Sequence, residues 1–231
     1  MAGNFGYIEK NLEEVRARIN NAKLKRDNKY VREVRLMAVT KTVPVEKINF
    51  AVGQGIDLIG ENRVNELLAK YDGLPRDRLE VHFIGALQTN KVRQIIDKVD
   101  LIQSVDSLRL AEEINKRAAV HSKIMDVFVE INIGGEASKA GVSPEGCGEL
   151  IDAIKDFDNI RVRGLMTIPP YSLDKQETRE YFSRMREIHE RLGTDMLSMG
   201  MSGDFEQAIE CGADIIRVGT RIFGERQEND K

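Results

Sequence analysis

Apolar residues along this chain follow two spacings, and the two spacings alternate. Short runs rich in Val, Ile, Leu and Met occupy residues 35–42, 56–61, 80–86, 101–106, 126–133, 160–168, 196–201 and 215–221; between them apolar residues return every three or four positions. A strand covered by helices is buried on both faces and reads as a nearly continuous apolar run, whereas a surface helix shows a stripe of period 3.6. Strand and helix alternating eight times predict an α/β fold, a single (β/α)8 TIM-type barrel over about 35–224 in one domain of residues 1–231. Ahead of the first run, Ile8, Leu12, Val15 and Ile19 share one face of an extra N-terminal helix over about 7–27. Its other face mixes both signs of charge, which predicts packing across the barrel rather than on a membrane.

Local signals refine the boundaries. Pro44 is expected at the first position of the helix after the first strand, with Gly53 at its end. Ser107 is expected to cap a helix over 108–120, and Ser143-Pro144-Glu145 to open another. The stretch 169–176 reads as irregular and leads into an amphipathic helix over 177–192, and the charged tail 225–231 is expected to fray.

Composition removes several classes of function. With 35 basic and 38 acidic residues interspersed along the chain, nothing draws the surface as a whole toward nucleic acid or anionic lipid. The start of the chain lacks the basic and apolar regions of a secretory signal, and no run approaches the ~20 apolar residues of a membrane span, so a cytoplasmic protein is expected. Cys147 and Cys211 are too few for a disulfide framework and read as packing thiols. Three scattered histidines and two distant cysteines offer no metal site, and neither a dinucleotide, a Walker nor a nucleophile-elbow pattern is present. One compact domain with balanced charge predicts a monomer.

In a barrel of this kind the working groups sit at the C-terminal ends of the strands. Here those ends carry Lys41, Asn62, His82, Ser104, Asn132, Met166, Ser202, and Arg217 with Gly219 and Thr220. Lys41 follows the apolar run Leu36-Met37-Ala38-Val39-Thr40; a desolvated lysine there suits Schiff-base chemistry, while one snorkelling to water has no such role. Ser202-Gly203 and Gly219-Thr220 close strands 7 and 8, the recurrent phosphate site of the architecture, although ordinary tight turns favour the same residues. Arg217 lies in an otherwise apolar strand and cannot shed its charge, so it needs a carboxylate in the barrel or an acceptor on a ligand ring. Asn62 and His82 are neutral hydrogen-bonding groups suited either to steering a ligand or to satisfying the core.

Together these residues resemble one family. Ala38-Val39-Thr40-Lys41, Ile59-Gly60-Glu61-Asn62, His82-Phe83-Ile84-Gly85, Leu87-Gln88-Thr89-Asn90-Lys91, Ile131-Asn132, Lys139-Ala140-Gly141, Gly164-Leu165-Met166, Leu197 to Ser202 and Arg217 to Gly224 are similar, in order, to motifs of the pyridoxal-5′-phosphate-binding homeostasis proteins, whose barrel resembles that of alanine racemase. The resemblance covers nearly the whole chain. It implies pyridoxal 5′-phosphate (PLP) as cofactor, held as an aldimine on Lys41, with Arg217 facing the pyridine nitrogen. It also implies that Ser202, Gly219 and Thr220 hold the phosphate and that Asn62, His82 and Met199 line the cofactor. The sequence departs from the family at Val81, where an aromatic is common, and at Arg63-Val64-Asn65-Glu66, where Tyr-Val-Gln-Glu is commoner.

PLP enzymes use the protonated ring as an electron sink. An arginine at the ring nitrogen opposes that protonation, and of the tyrosines at 7, 30, 71, 171 and 181 none lies at a strand end, though Tyr171 could reach the mouth. Because the chain ends at its barrel, the resemblance implies no catalytic residues but a non-catalytic binder in PLP homeostasis that supplies the cofactor to PLP-dependent apo-enzymes. A weak PLP-dependent amino-acid racemase is the alternative; a Schiff-base aldolase fits the lysine and the loops but not the motifs.

Overall fold

The computed structural model describes residues 5–27, 30, 32–136, 139–172 and 174–225. Helix α1 (Gly6–Lys23) precedes strand β1 (Arg35–Val39), and the chain then alternates α2 (Val45–Gly53), β2 (Leu58–Glu61), α3 (Val64–Lys70), β3 (Glu80–Phe83), α4 (Val92–Ile95) and β4 (Leu101–Val105). The second half continues with α5 (Leu108–Val120), β5 (Met125–Glu130), α6 (Cys147–Ile154), β6 (Ile160–Met166), α7 (Lys175–Leu192), β7 (Met196–Met201), α8 (Phe205–Glu210), β8 (Ile215–Val218) and α9 (Thr220–Phe223). All eight strands are parallel and pair in chain order, and β8 closes on β1. The expected barrel with its extra N-terminal helix is therefore present.

Side chains alternate across each strand, and the alternation builds two cores. Ala38, Ile59, Val81, Phe83, Ile102, Val127, Leu197, Met199 and Ile216 pack outward beneath the helices. Met37, Leu58, Leu101, Phe128, Met166 and Ile215 fill the barrel interior with Ile84 and Met196 against them. Ion pairs lie at the N-terminal strand ends: Arg35 to Glu80 at 2.8 Å, Arg161 to Asp126 at 2.7 Å and Arg163 to Asp195 at 2.6 Å. Interior positions near the opposite end are polar, and they include His82, Gln103, Ser198, Arg217 and Glu130, all buried.

Most strands stop short of their apolar runs, because the last residues of a run leave the ladder and become the loops of the mouth; only 196–201 coincides. Pro44 stands just outside α2 as its cap rather than at its first position. Ser107 precedes α5, but its hydroxyl donates to Asp106 at 3.0 Å and makes no cap bond. Ser143 caps a turn instead of a helix, accepting from the Gly146 N–H at 3.1 Å, and α6 starts at Cys147. α7 begins two residues earlier than its apolar stripe indicates because Asp174 accepts from the Gln176 N–H at 2.8 Å. The N-terminal helix ends at Lys23, and the tail beyond Glu225 lies outside the described residues. Both cysteines are buried and free, and burial pushes Cys147 up to about 11, in keeping with packing thiols.

Candidate functional site

The C-terminal mouth opens as a cleft of about 650 Å³ between β1, β8 and the start of α1, lined by Lys41, Thr42, Lys47, Gly219, Thr220 and Tyr7 among others. Lys41 is half-buried there. The residues on either side of it are held in place. Thr40 N–H bonds the Gly60 carbonyl at 3.0 Å, and the Thr40 hydroxyl donates to buried Glu61 at 2.6 Å. Lys70 then clamps both, reaching the Thr40 carbonyl at 2.7 Å and Glu61 at 2.8 Å. On the other side Thr42 sits at φ 61, a costly conformation for a β-branched residue, and its N–H donates to Glu66 at 2.7 Å. Strain of this kind persists only where surroundings over-determine it, and here two carboxylates and a lysine do so around Lys41.

Strands β7 and β8 shape the far wall. The pairing of β7 with β8 shifts register between Ser198 and Met201, where Gly200 adopts φ 90. A Cβ on Gly200 would fall 2.4 Å from the Ala208 Cβ of α8, so the glycine lets the bulged strand press onto that helix. The turn after it is closed by Asp204, which accepts from the Met201 N–H at 2.6 Å. Ser202 is thereby carried to the loop after β8, where its hydroxyl oxygen accepts from the Gly219 N–H at 3.3 Å, while Arg221 holds the Ser202 carbonyl at 2.5 Å. α8 and α9 are too short for a substantial dipole, so backbone N–H groups and the hydroxyls of Ser202 and Thr220 are what this wall offers an anion.

Arg217 points into the barrel at 3% exposure. It donates to the Ser198 hydroxyl at 2.8 Å and to the Thr167 carbonyl at 2.7 Å, and no carboxylate among the described residues lies within ion-pair distance. Burial pushes its guanidinium down to about 10, still charged at neutral pH, with Glu130 and Asp204 opposing the shift. Asn62 stands at the mouth beyond β2, with its main chain against Gly85: a Cβ there would meet the Asn62 carbonyl at 2.1 Å. Asn62 Oδ1, an acceptor, and the Ser104 hydroxyl are buried without a hydrogen-bond partner, as polar groups awaiting a ligand would be.

Two expected cofactor-lining residues are buried. Met199 is fully buried in the core beneath the helices, because strand alternation turns it away from the side that carries Ser198. His82 lies inside the barrel at 2% exposure, bonded to Gln103 at 2.9 Å. Tyr171 is 88% exposed and outside the cleft. Asn132 holds the loop after β5, donating to the Glu136 carbonyl at 2.8 Å. Tyr7, at the start of α1, was hidden from strand-end reasoning because its helix comes from outside the alternating pattern; its hydroxyl reaches the Phe223 carbonyl at 3.4 Å. Among the described residues no His, Cys, Asp and Glu cluster could hold a metal, and no helix is long and apolar enough to cross a membrane.

Glu130, at the end of β5, gives no signal in its apolar run. Burial pushes its carboxyl from the ordinary 4.5 up to about 7, against the pull of Arg217. The folded protein thus holds this proton more tightly than the unfolded chain, so stability falls as pH rises from about 4.5 to about 7 and stays lowered above. Glu130→Gln is expected to gain roughly 2 to 3 kcal/mol at pH 8 and nothing at pH 4, measured by thermal unfolding across that range.

The sequence matches the family described as alanine racemase, N-terminal domain, over residues 8–227. A pyridoxal phosphate homeostasis protein of Aquifex aeolicus is 48% identical over 199 residues, 84% of this chain and 87% of its own. PipY of Synechococcus elongatus PCC7942, solved with PLP bound, superposes with a TM-score of 0.80 at 32% identity over 94% of this chain and 100% of that one. An alanine racemase of Clostridium difficile 630 has the same fold at a TM-score of 0.74 and 18% identity, over 95% of this chain and 58% of that one. With that identity along most of both sequences and one shared barrel, the chain belongs to the family of pyridoxal phosphate homeostasis proteins.

Proposed function

We propose that this chain binds pyridoxal 5′-phosphate at the C-terminal mouth of its barrel and serves PLP homeostasis as a non-catalytic holder that supplies the cofactor to apo-enzymes. The observation that carries the reading is that Lys41 shares one cleft with Gly219 and Thr220, while Ser202 is bonded to the same loop. In this reading Lys41 would hold the cofactor's aldehyde through its amine, and Ser202, Thr220 and the Gly219 backbone would hold the phosphate. Arg217 would face the ring nitrogen from inside the barrel, and the unpartnered Asn62 Oδ1 and Ser104 Oγ suit a polar ligand at the mouth. His82 and Met199, buried as described, serve the wall rather than the contact surface.

Bound PLP supplies an electron sink whose strength depends on ring protonation. Arg217, charged and unable to accept a proton, would disfavour protonation of the ring nitrogen and so weaken that sink. The racemase alternative draws on one observation, the presence of Tyr7 in the cleft with Lys41. The two readings separate by deuterium wash-in at the α-carbon of L- and D-alanine in heavy water. Lacking an effective second base should leave exchange slower by roughly 10² to 10⁴ than with one. Slow exchange is expected; rapid exchange with inversion, lost in Lys41→Ala, would establish the racemase, with Tyr7→Phe as the next variant. An aldolase is separated by the visible band that PLP acquires on the protein and borohydride removes.

A further inference from the structure

A chain of buried hydrogen bonds runs through the barrel from Arg217 toward the opposite end. The Ser198 hydroxyl accepts from Arg217 at 2.8 Å and donates to Gln103 Oε1 at 2.7 Å; Gln103 Nε2 stands 2.9 Å from His82 Nδ1. His82 Nε2 then lies 3.5 Å from Glu80, which is held by Arg35 at 2.8 Å. Four elements, β3, β4, β7 and β8, each contribute one member, and all four of His82, Gln103, Ser198 and Arg217 are buried.

We propose that His82, Gln103 and Ser198 are positioning residues that orient the Arg217 guanidinium from behind, through a hydrogen-bond relay with one fixed direction. The proposal rests on the reading that Arg217 faces a bound ring. The direction follows from chemistry. A guanidinium only donates, so Ser198 receives from it and must pass its single proton onward. The acceptor is the Gln103 carbonyl oxygen, which turns the amide N–H group toward His82 and makes Nδ1 the acceptor. His82 is therefore held as the Nε2–H tautomer, pointing at Glu80. Burial pushes His82 below its ordinary value against the pull of Glu80, which keeps it neutral and able to accept.

Mere filling of space does not account for this chain. The neighbouring interior positions are Met37, Leu58, Leu101, Phe128 and Ile215, and buried polar groups are commonly replaced by apolar ones without loss of stability. Arg217 alone needs the acceptor that Ser198 supplies, and Ser198 in turn needs Gln103. Among the described residues Arg217 donates to two neutral acceptors and has no carboxylate within ion-pair distance, so its orientation depends on this relay.

The test is nitrogen-15 NMR of histidine-labelled protein, first without ligand, comparing wild type with Gln103→Met and Gln103→Glu. Wild-type His82 should show the Nε2–H tautomer, with exposed His121 as the internal reference. Gln103→Glu replaces the donor at Nδ1 by an acceptor, so a proton should move onto Nδ1; Gln103→Met should release the tautomer to a mixture. Pyridoxal 5′-phosphate is then titrated by visible absorption, where Gln103→Met should bind about tenfold more weakly with a displaced band, and Gln103→Glu should keep the wild-type affinity within a few-fold. An Nδ1–H tautomer in wild type, or the same His82 signals in all three proteins, would overturn the relay. So would unchanged affinity and band in both variants. If wild type binds no pyridoxal phosphate, the functional reading fails and the NMR comparison still decides the relay; if Gln103→Met does not fold, Gln103→Glu decides it.

Discussion

Lys41→Ala is expected to lose completely the visible, borohydride-sensitive band that pyridoxal phosphate acquires on the wild-type protein. Lys41 lines the same cleft as the Gly219-Thr220 loop, and the clamps around its main chain act on Thr40, Thr42 and the surrounding acids. Removing the side chain therefore leaves the clamps in place. The substitution lies at a half-buried loop position, so unfolding temperature should change by no more than about 0.5 kcal/mol allows. Non-covalent binding through the phosphate loops should survive. Lys47 lines the same cleft and is the natural competitor. A borohydride-trapped adduct on Lys47 or any other lysine of Lys41→Ala, found by peptide mass mapping, would show the assignment to be wrong.

Ser202→Ala combined with Thr220→Val is expected to weaken pyridoxal phosphate binding by about two to four orders of magnitude, since two charge-assisted hydrogen bonds at roughly 1.5 to 3 kcal/mol each are lost. The Ser202 oxygen already accepts from Gly219 at 3.3 Å, which leaves the hydroxyl proton to donate to an anion. The band of whatever remains bound should keep its position, because Lys41 and Arg217 are untouched. Pyridoxal, lacking the phosphate, should bind wild type and the double variant about equally poorly. Equal affinity of both proteins for pyridoxal phosphate, by fluorescence or absorption titration, would place the phosphate elsewhere.

The barrel was legible because its signal is repeated and local. Eight apolar runs separated by period-3.6 stretches leave little choice but strands buried on both faces, and the runs end where the mouth begins. Lys41, Asn62, Ser202, Gly219 and Thr220 were legible for the same reason: each follows the end of a strand, and that end is common to all eight. Caps were less so. A serine before a helix signals a start, but whether its hydroxyl reaches the first turn, as Asp174 does and Ser107 does not, depends on competing acceptors nearby.

What the runs could not tell is which way each residue faces within them. A strand side chain changes face with every step, and a bulge resets the count. The shift between Ser198 and Met201 is one such reset; Met199 faces the helices while Ser198 faces the barrel, one residue apart. Gln103 shows no signal at all in Leu101-Ile102-Gln103-Ser104-Val105 until strand closure brings it beside His82 and Ser198. Tyr7 enters the cleft, and Glu130 acquires its raised pKa, through elements far apart in the chain. The number and order of strands and the residues at their ends are therefore written along the chain, because periodicity and chain position are local properties. Facing, partnership and charge state were decided only by tertiary structure, because they depend on neighbours that barrel closure brings together from distant segments.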